Sequence, residues 1–316
     1  MSRPRRTWIG IAVAVAIAAL AYPGVRLWAQ TRAEHDVEAA FGTLRTVLAA
    51  ATYDSLDFDP SSRTLTLANV TLKWDDAAAT TMKVGRVAIS GIAEAASEGF
   101  AAQHIDIKDI DLTSKDINVP SDANGTIRIA FIALEDVALK SSKPYTELLD
   151  LIRTAPADPS PAAVRALLEK IAELCEQVRI GKFHMQGVKL AAPPDRLDLA
   201  ALLFNGFENG RVAEFALEGL QFTPPQADKA VDARRFALNG LDVAGLLRAS
   251  AHFSTKTQNP TPHELVGLLA LLQGIEVRGF TGPDEPSGEL IYIESFSASW
   301  GQFVGTVPSA ARVAAK

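Results

Sequence analysis

Leu65-Thr66-Leu67-Ala68-Asn69-Val70-Thr71-Leu72 and Ile105-Asp106-Ile107-Lys108-Asp109-Ile110-Asp111-Leu112 carry one pattern: apolar-x-apolar-x-(Gly/Asn/Asp)-apolar-x-apolar. The same phrase returns at Ile132–Leu139 around Asp136 and at Phe183–Leu190 around Gly187. It returns again at Phe215–Phe222 around Gly219 and at Phe236–Val243 around Gly240, with a weaker copy at Val87, Ile89, Gly91 and Ile92. Period-two alternation places apolar side chains on one face of a strand and polar ones on the other. The Gly, Asn or Asp then breaks the phase by one residue, which predicts a bulge or tight bend, because these residues tolerate positive φ. The copies start at irregular intervals, so a solenoid of fixed period is excluded. A meandering sheet, with helices in some of its connections, fits instead.

The N-terminus reads as a targeting element. Arg3, Arg5 and Arg6 precede an uncharged stretch from Thr7 to Val25, with Trp8 and Trp28 near its ends. That stretch approaches the ~20 residues a membrane-spanning helix needs. Arginines on the near side and interfacial tryptophans predict residues 1–6 in the cytoplasm, a span over roughly 7–27, and export of the remainder. A signal peptide cleaved after Ala19-Leu20-Ala21 is the competing reading. Either way, residues 1–30 form an anchor or signal segment. The expected localisation is a bacterial inner membrane, single-pass, with the bulk of the chain periplasmic.

Charge narrows the partners. The chain has 31 Lys and Arg against 37 Asp and Glu; four of the arginines precede residue 31, so the exported part carries a formal charge of −10. An acidic body lacks the basic patches that neutralise phosphates, so no nucleic acid is expected. Aromatic residues make up 7%, mostly Phe, which suits an apolar sheet face better than a stacking surface. The single cysteine, Cys175, rules out an intramolecular disulfide.

The pattern divides the exported chain into three parts. Residues 31–142 hold an amphipathic helix (Val37, Ala40, Phe41, Leu44, Val47, Leu48), with Thr31-x-x-Glu34 as a capping box, and then a first strand block. Asp59-Pro60-Ser61 supplies turn chemistry within it. Residues 143–180 form a helical insertion: Tyr145–Thr154, then a helix from Pro161 to about Val178 capped by Ser160. Residues 181–316 hold a second strand block. Short helices are predicted there at Leu197–Phe204, at Val243–Ala251 and from Thr261-Pro262-His263-Glu264 to Gly274, and strands at Ile275–Phe280, Leu290–Trp300 and Phe303–Val307. The fold class is therefore α+β: mostly antiparallel, curved β-sheet with inserted helices, preceded by one transmembrane helix.

No catalytic constellation emerges. His35, His104, His184, His252 and His263 are scattered with no metal-ligand spacing. Nucleophile elbow, Walker loop and dinucleotide fingerprint are missing. In the cluster Asp106, Asp109 and Asp111, the residues Asp106, Lys108 and Asp111 alternate with Ile105, Ile107 and Leu112, and the cluster reads as a solvated strand face without the calcium loop's spacing. Cys175 lies on the apolar stripe Val164, Leu167, Leu168, Ile171, Leu174 and reads as a small buried hydrophobe. The reading is non-enzymatic, with no cofactor and no metal.

The N-terminal span followed by Tyr53-x-x-Leu56-x-Phe58-Asp59-Pro60 and then Leu65-x-Leu67-x-Asn69-Val70-x-Leu72 resembles the opening of AsmA-like envelope proteins. The phrases at 215 and 236 resemble the strand idiom of the same group. That resemblance implies long sheets with an apolar trough that carries lipid across the periplasm. The chain departs from the group in its short phrase spacing and inserted helices. A sheet with one apolar face must bury it against another layer or a ligand. The expected groove is lined by Leu65, Leu67, Ile105, Ile107, Leu134, Phe183, Met185, Phe215, Leu217, Phe236 and Leu238. Expected partners are the membrane, phospholipid and envelope proteins. A non-catalytic envelope scaffold that recruits partner proteins is the alternative.

Overall fold

A computed structural model of the chain describes residues 30–74, 79–94, 99–115, 125–141, 143–154, 160–192, 195–223, 230–254, 261–283, 289–304 and 307–316. The expected membrane segment lies outside the described residues. Among the described residues, no helix is long and apolar enough to cross a membrane. They form a mostly antiparallel β protein with inserted helices, and they divide into two compact units. His184–Asp198 belongs to the first unit, so the division cuts β8 (Val178–Ala192) and β9 (Asp195–Glu208).

The first unit opens with α1 (Gln30–Leu44), followed by β1 (Ala50–Thr52), β2 (Ser55–Asp59), β3 (Thr64–Lys73), β4 (Thr81–Ser90), β5 (Ala93–Glu94), β6 (Phe100–Ser114) and β7 (Gly125–Leu139). Thr31 and Glu34 both lie within α1. Val37, Phe41 and Leu44 are the buried face of α1, and the Phe41 ring meets Tyr53 edge-on at 4.9 Å. The helix stops at Leu44, so Val47 and Leu48 fall in the turn beyond it. Sheet order is β1-β3-β4-β6-β7, with β2 on β3 and β5 on β6. Between β2 and β3 the Asp59 carboxylate accepts hydrogen bonds from the hydroxyls of Ser61 (2.6 Å) and Ser62 (2.7 Å) and from the Ser61 amide (2.9 Å). These donors, the Ser61 hydroxyl first, pull its pKa down to about 2.

The second unit contains α2 (Lys143–Thr154), α3 (Pro161–Gln177), β10 (Arg211–Thr223), β11 (Val231–Asp242), α4 (Val243–Ser254), α5 (Pro262–Leu269), β12 (Gly274–Pro283), β13 (Leu290–Trp300), β14 (Phe303–Val304), β15 (Val307–Pro308) and β16 (Ala311–Ala315). Ser160 caps α3 by accepting from the Ala163 amide, with Pro161 in the first turn. Thr261 and Glu264 form a full capping box on α5. Asp242 ends β11 and accepts from the Gly245 amide at 2.7 Å, starting α4. Sheet order here is β10-β11-β12-β13-β16. Leu197–Phe204, predicted as helix, is part of strand β9. Its Ala and Leu residues favour a helix locally, and sheet pairing overrides that weak propensity.

The recurrent phrase has a specific backbone cause. Asn69, Asp109 and Asp136 have φ of 52°, 57° and 53°, and Gly187, Gly219 and Gly240 have 64°, 62° and 61°. All six occupy the left-handed region inside strands, as the phase break predicted. They are not bulges in the sense of an extra residue. Val70 pairs with Val84 and Ala68 with Arg86, so Asn69 stands opposite Gly85 with nothing inserted in either strand. Val84 then pairs with Ile110 and Arg86 with Lys108, which sets Gly85 opposite Asp109. Lys108 and Ile110 pair with Phe131 and Ile129, setting Asp109 opposite Ala130, and Ala130 lies against Gly187. One crease therefore crosses the first unit at constant register, its left-handed residues on alternate strands. A second crease, Gly91–Gln103–Asp136, lies further along the same strands. In the second unit the rows are Ala200–Gly219–Arg234–Gly279 and Gly206–Ala213–Gly240.

The crease preserves sidedness. Leu65 and Leu67 before Asn69, and Val70 and Leu72 after it, are all buried. The opposing strand changes phase at the same level, because Val84 and Val87 are both buried around Gly85–Arg86. Strand β6 repeats this with Ile107 and Ile110.

Candidate functional site: an apolar sheet face

The eleven residues expected to line a groove fall into both units. Leu65, Leu67, Ile105, Ile107, Leu134 and Met185 belong to the first; Phe183, Phe215, Leu217, Phe236 and Leu238 belong to the second. In the first unit the ladder brings five of them onto one face: Leu65 through Ile89 to Ile105 and Leu134, and Leu67 through Val87 to Ile107. All five are buried, none more than 6% exposed, and Met185 is half-buried.

The second unit differs. Phe215 faces Leu238 and Leu217 faces Phe236, and these partners lead on to Ile275 and Val277 of β12 and then to Ala298 and Phe296 of β13. Beyond the crease the same face carries Leu220, Ala233, Phe280 and Ile293. Val313 of β16 follows, opposite Ala298. Exposure on this face is uneven. Val212 and Ala233 are buried, the central Phe and Leu side chains are half-buried, and Val313 is 68% exposed. Phe183 is half-buried and stacks on Phe204 with centroids 4.5 Å apart. No ionisable side chain occurs among these residues.

The opposite face of the same strands is charged and internally paired. Arg235 bridges Glu214 and Glu218, the latter at 2.5 Å. Glu276 lies 3.8 Å from the Arg235 Nε and 2.5 Å from the Arg278 Nε. Ala216 and Ala237 lie opposite each other and are buried beside these long side chains. The charges therefore answer one another on one side of the sheet, and the apolar side is left free of them.

Residues weighed for chemistry do not converge. Among the described residues, no group of three or more His, Cys, Asp or Glu is placed to hold a metal ion. His184 shares a hydrogen bond of 2.9 Å with Gln186, and Asp111 pairs with Arg128 at 3.0 Å. Asp109 is a crease residue. Cys175 is half-buried on α3; burial, reinforced by the neighbouring Glu176 carboxylate and partly offset by Arg248, pushes its thiol up to about 11. Such a thiol is protonated near neutral pH.

Two further copies of the strand phrase, beyond those the alternation singles out, are Leu202-Leu203-Phe204-Asn205-Gly206-Phe207 in β9 and Ile275-Glu276-Val277-Arg278-Gly279-Phe280 in β12. Gly206 and Gly279 have φ of 63° and 58°. Their signal was present, but the first was masked by helix-favouring residues.

Comparison of the chain with protein-family models, with curated proteins and with solved structures returns no match.

Proposed function

We propose that this chain is a membrane-anchored periplasmic protein of the bacterial envelope that binds or transfers lipid, without catalysis, along the apolar sheet face of its second unit. The observation carrying this reading is that face itself: contiguous from β10 to β16, only partly covered, and free of ionisable groups, while the charges of the opposite face neutralise one another. Partly open apolar surface of this extent marks an interaction site. An acyl chain gains ~0.8 kcal/mol per CH₂ buried, so it needs no charged anchor there. The resemblance to AsmA-like proteins and the arginine-flanked N-terminal run supply the membrane and envelope part of the reading.

A photo-crosslinking amino acid placed at Phe215 or Phe236 of the full chain, in cells grown with radiolabelled phosphate, tests it. Labelled lipid adducts are expected from both positions and not from Glu218 on the charged face. No adduct from either apolar position, or equal labelling from Glu218, sinks the lipid reading. Fusions of alkaline phosphatase after residue 60 test the topology, and an inactive fusion there ends the periplasmic assignment. A scaffold role is the second reading, favoured by the exposed apolar run Leu290, Ile291 and Tyr292 at the start of β13.

A further inference from the structure

We propose that the end of the second unit formed by α5 and the turn after β13 rests in the interface of a lipid bilayer, apart from any anchoring by the N-terminal run. Leu265–Ile275 contains no charged residue over eleven positions, and Ser295–Ala311 none over seventeen, in a chain where 22% of residues are charged. The structure joins the two segments. The Trp300 indole N–H donates to the carbonyls of Leu269 (3.0 Å) and Leu272 (2.5 Å), and the Trp300 amide donates to the Gln273 carbonyl at 2.9 Å. The segment packs inward at Leu271, whose side chain lies 2.7 Å from the point that a Cβ on Gly245 of α4 would occupy. Its other side faces out: Gly267, Leu269 and Ala270 are exposed, Leu269 by 45%, and a Cβ built on Gly267 would meet open space. A helix on the surface of a water-soluble domain turns polar residues outward, and one that is apolar all round belongs in a core or in lipid. The α5 segment is apolar on both sides and is not in the core.

The backbone selects a bilayer over water or a partner protein. A helix leaves its first amides and last carbonyls unpaired, and water commonly takes them. In lipid they must be met from within the protein. Around α5 they are met. At its start the Thr261 hydroxyl accepts from the Glu264 amide at 3.3 Å, and the Glu264 carboxylate accepts from the Thr261 amide at 2.8 Å. At its end the carbonyls of Leu268 and Leu269 accept from the amides of Leu271 and Leu272, and the Leu271 carbonyl accepts from the Asp242 amide at 2.8 Å. Trp300 takes the carbonyls of Leu272 and Gln273. The same closure holds in the turn after β13, where the Gly301 amide donates to Ala310 (2.9 Å) and the Ser309 amide to Gln302 (2.8 Å). An apolar run of eleven residues is too short to span a bilayer and suits an interfacial position. A protein partner would call for a polar rim, and neither segment supplies a charge for one. The contact stands whether or not the sheet face takes lipid.

The experiment uses the full chain with Cys175→Ser as background, reconstituted in vesicles of phosphatidylethanolamine and phosphatidylglycerol. Protein-free vesicles of the same composition are added, so that a bilayer is within reach on either side. Leu269→Cys or Gly267→Cys carries an environment-sensitive fluorophore; position 267 has room for it, which keeps a folded variant at hand. Arg165→Cys, at an exposed position on α3, and Phe215→Cys, on the sheet face, are the comparisons. Doxyl groups on the lipid acyl chains should quench the labels at positions 267 and 269, and aqueous iodide should not. The label at position 165 should show the reverse. The proposal is overturned if iodide quenches positions 267 and 269 as it does 165, in chains with wild-type protease resistance. Protection from both quenchers also overturns it, and is the result that a protein partner on α5 would give. Doxyl quenching at position 215 but not at 267 and 269 would keep the lipid reading of the sheet face and overturn this one. The opposite pattern would keep this one and count against that reading.

Discussion

The Cβ of Asp109 lies 3.0 Å from the point that a Cβ on Gly85 would occupy. The two residues stand opposite each other on β6 and β4, at the level where Val84–Ile110 and Arg86–Lys108 pair on either side. Asp109 holds the left-handed conformation and Gly85 does not. Gly85 is thus glycine for space, because its neighbour's side chain already fills the crease.

Adding that Cβ should be costly, and reversibly so. Gly85→Ala is expected to destabilise the protein by about 1–3 kcal/mol through overpacking. Combining it with Asp109→Gly should recover most of the loss, since the colliding atom is removed. Urea denaturation of the purified protein reads both, and equal loss in the single and double variants would refute the contact.

Conformation and not space should dominate at the left-handed positions. At Gly219 a Cβ would meet the Ala200 Cβ at 2.7 Å and also adopt φ +62°. Gly219→Ala is expected to cost about 2 kcal/mol or more. Asp136→Gly relieves a strained φ and gains unfolded-state entropy in nearly equal measure, so its effect should stay within about 0.5 kcal/mol of zero. A large loss at Asp136 would mean that its side chain, and not its backbone, is what the strand needs.

The two apolar faces should respond differently to truncation. Ile107 is 1% exposed in the first unit, so Ile107→Ala should cost about 2–5 kcal/mol. Phe215 is half-buried, and Phe215→Ala should cost about 2 kcal/mol, less than a buried phenylalanine would. If Phe215→Ala proves the more damaging in thermal melts, the second face is packed as tightly as the first and is unsuited to a ligand.

Cys175 gives a pH test. With its thiol pushed up to about 11, chiefly by burial, the alkylation rate should keep rising above pH 9 where an ordinary thiol levels off. The folded value exceeds the unfolded one. The stability contributed by the neutral thiol is therefore complete below the ordinary thiol value and is lost as pH rises from there through about 11. Iodoacetamide kinetics that plateau near pH 9 would contradict the burial.

The strands, the bends and the caps at Ser160 and Thr261 were legible because each is set by a short run of residues. Asn69 or Gly219 announces a left-handed kink wherever flanking alternation breaks by one. What alternation does not encode is the opposing strand. The absence of an inserted residue at Asn69 becomes visible only once Gly85 is placed across from it. Leu197–Phe204 misled for the opposite reason, since local propensity spoke for a helix and the pairing that decides the matter is non-local. The apolar candidates all lie in strands. Whether a face is sealed, as at Leu67, or partly open, as at Phe215, depends on what packs over it, which period-two spacing does not specify.

The creases also bear on how such a chain avoids pairing its strands wrongly. Strands that share one phrase are near-interchangeable partners, and in a plainly alternating sheet a slip of two residues keeps every apolar side chain on its own side. Here that slip would move Asn69 away from Gly85 and set two strands changing phase at different levels. Apolar residues on one side of the kink would then face polar ones. The row of left-handed residues thus works as an alignment mark, built into the backbone, that admits one register among many similar ones.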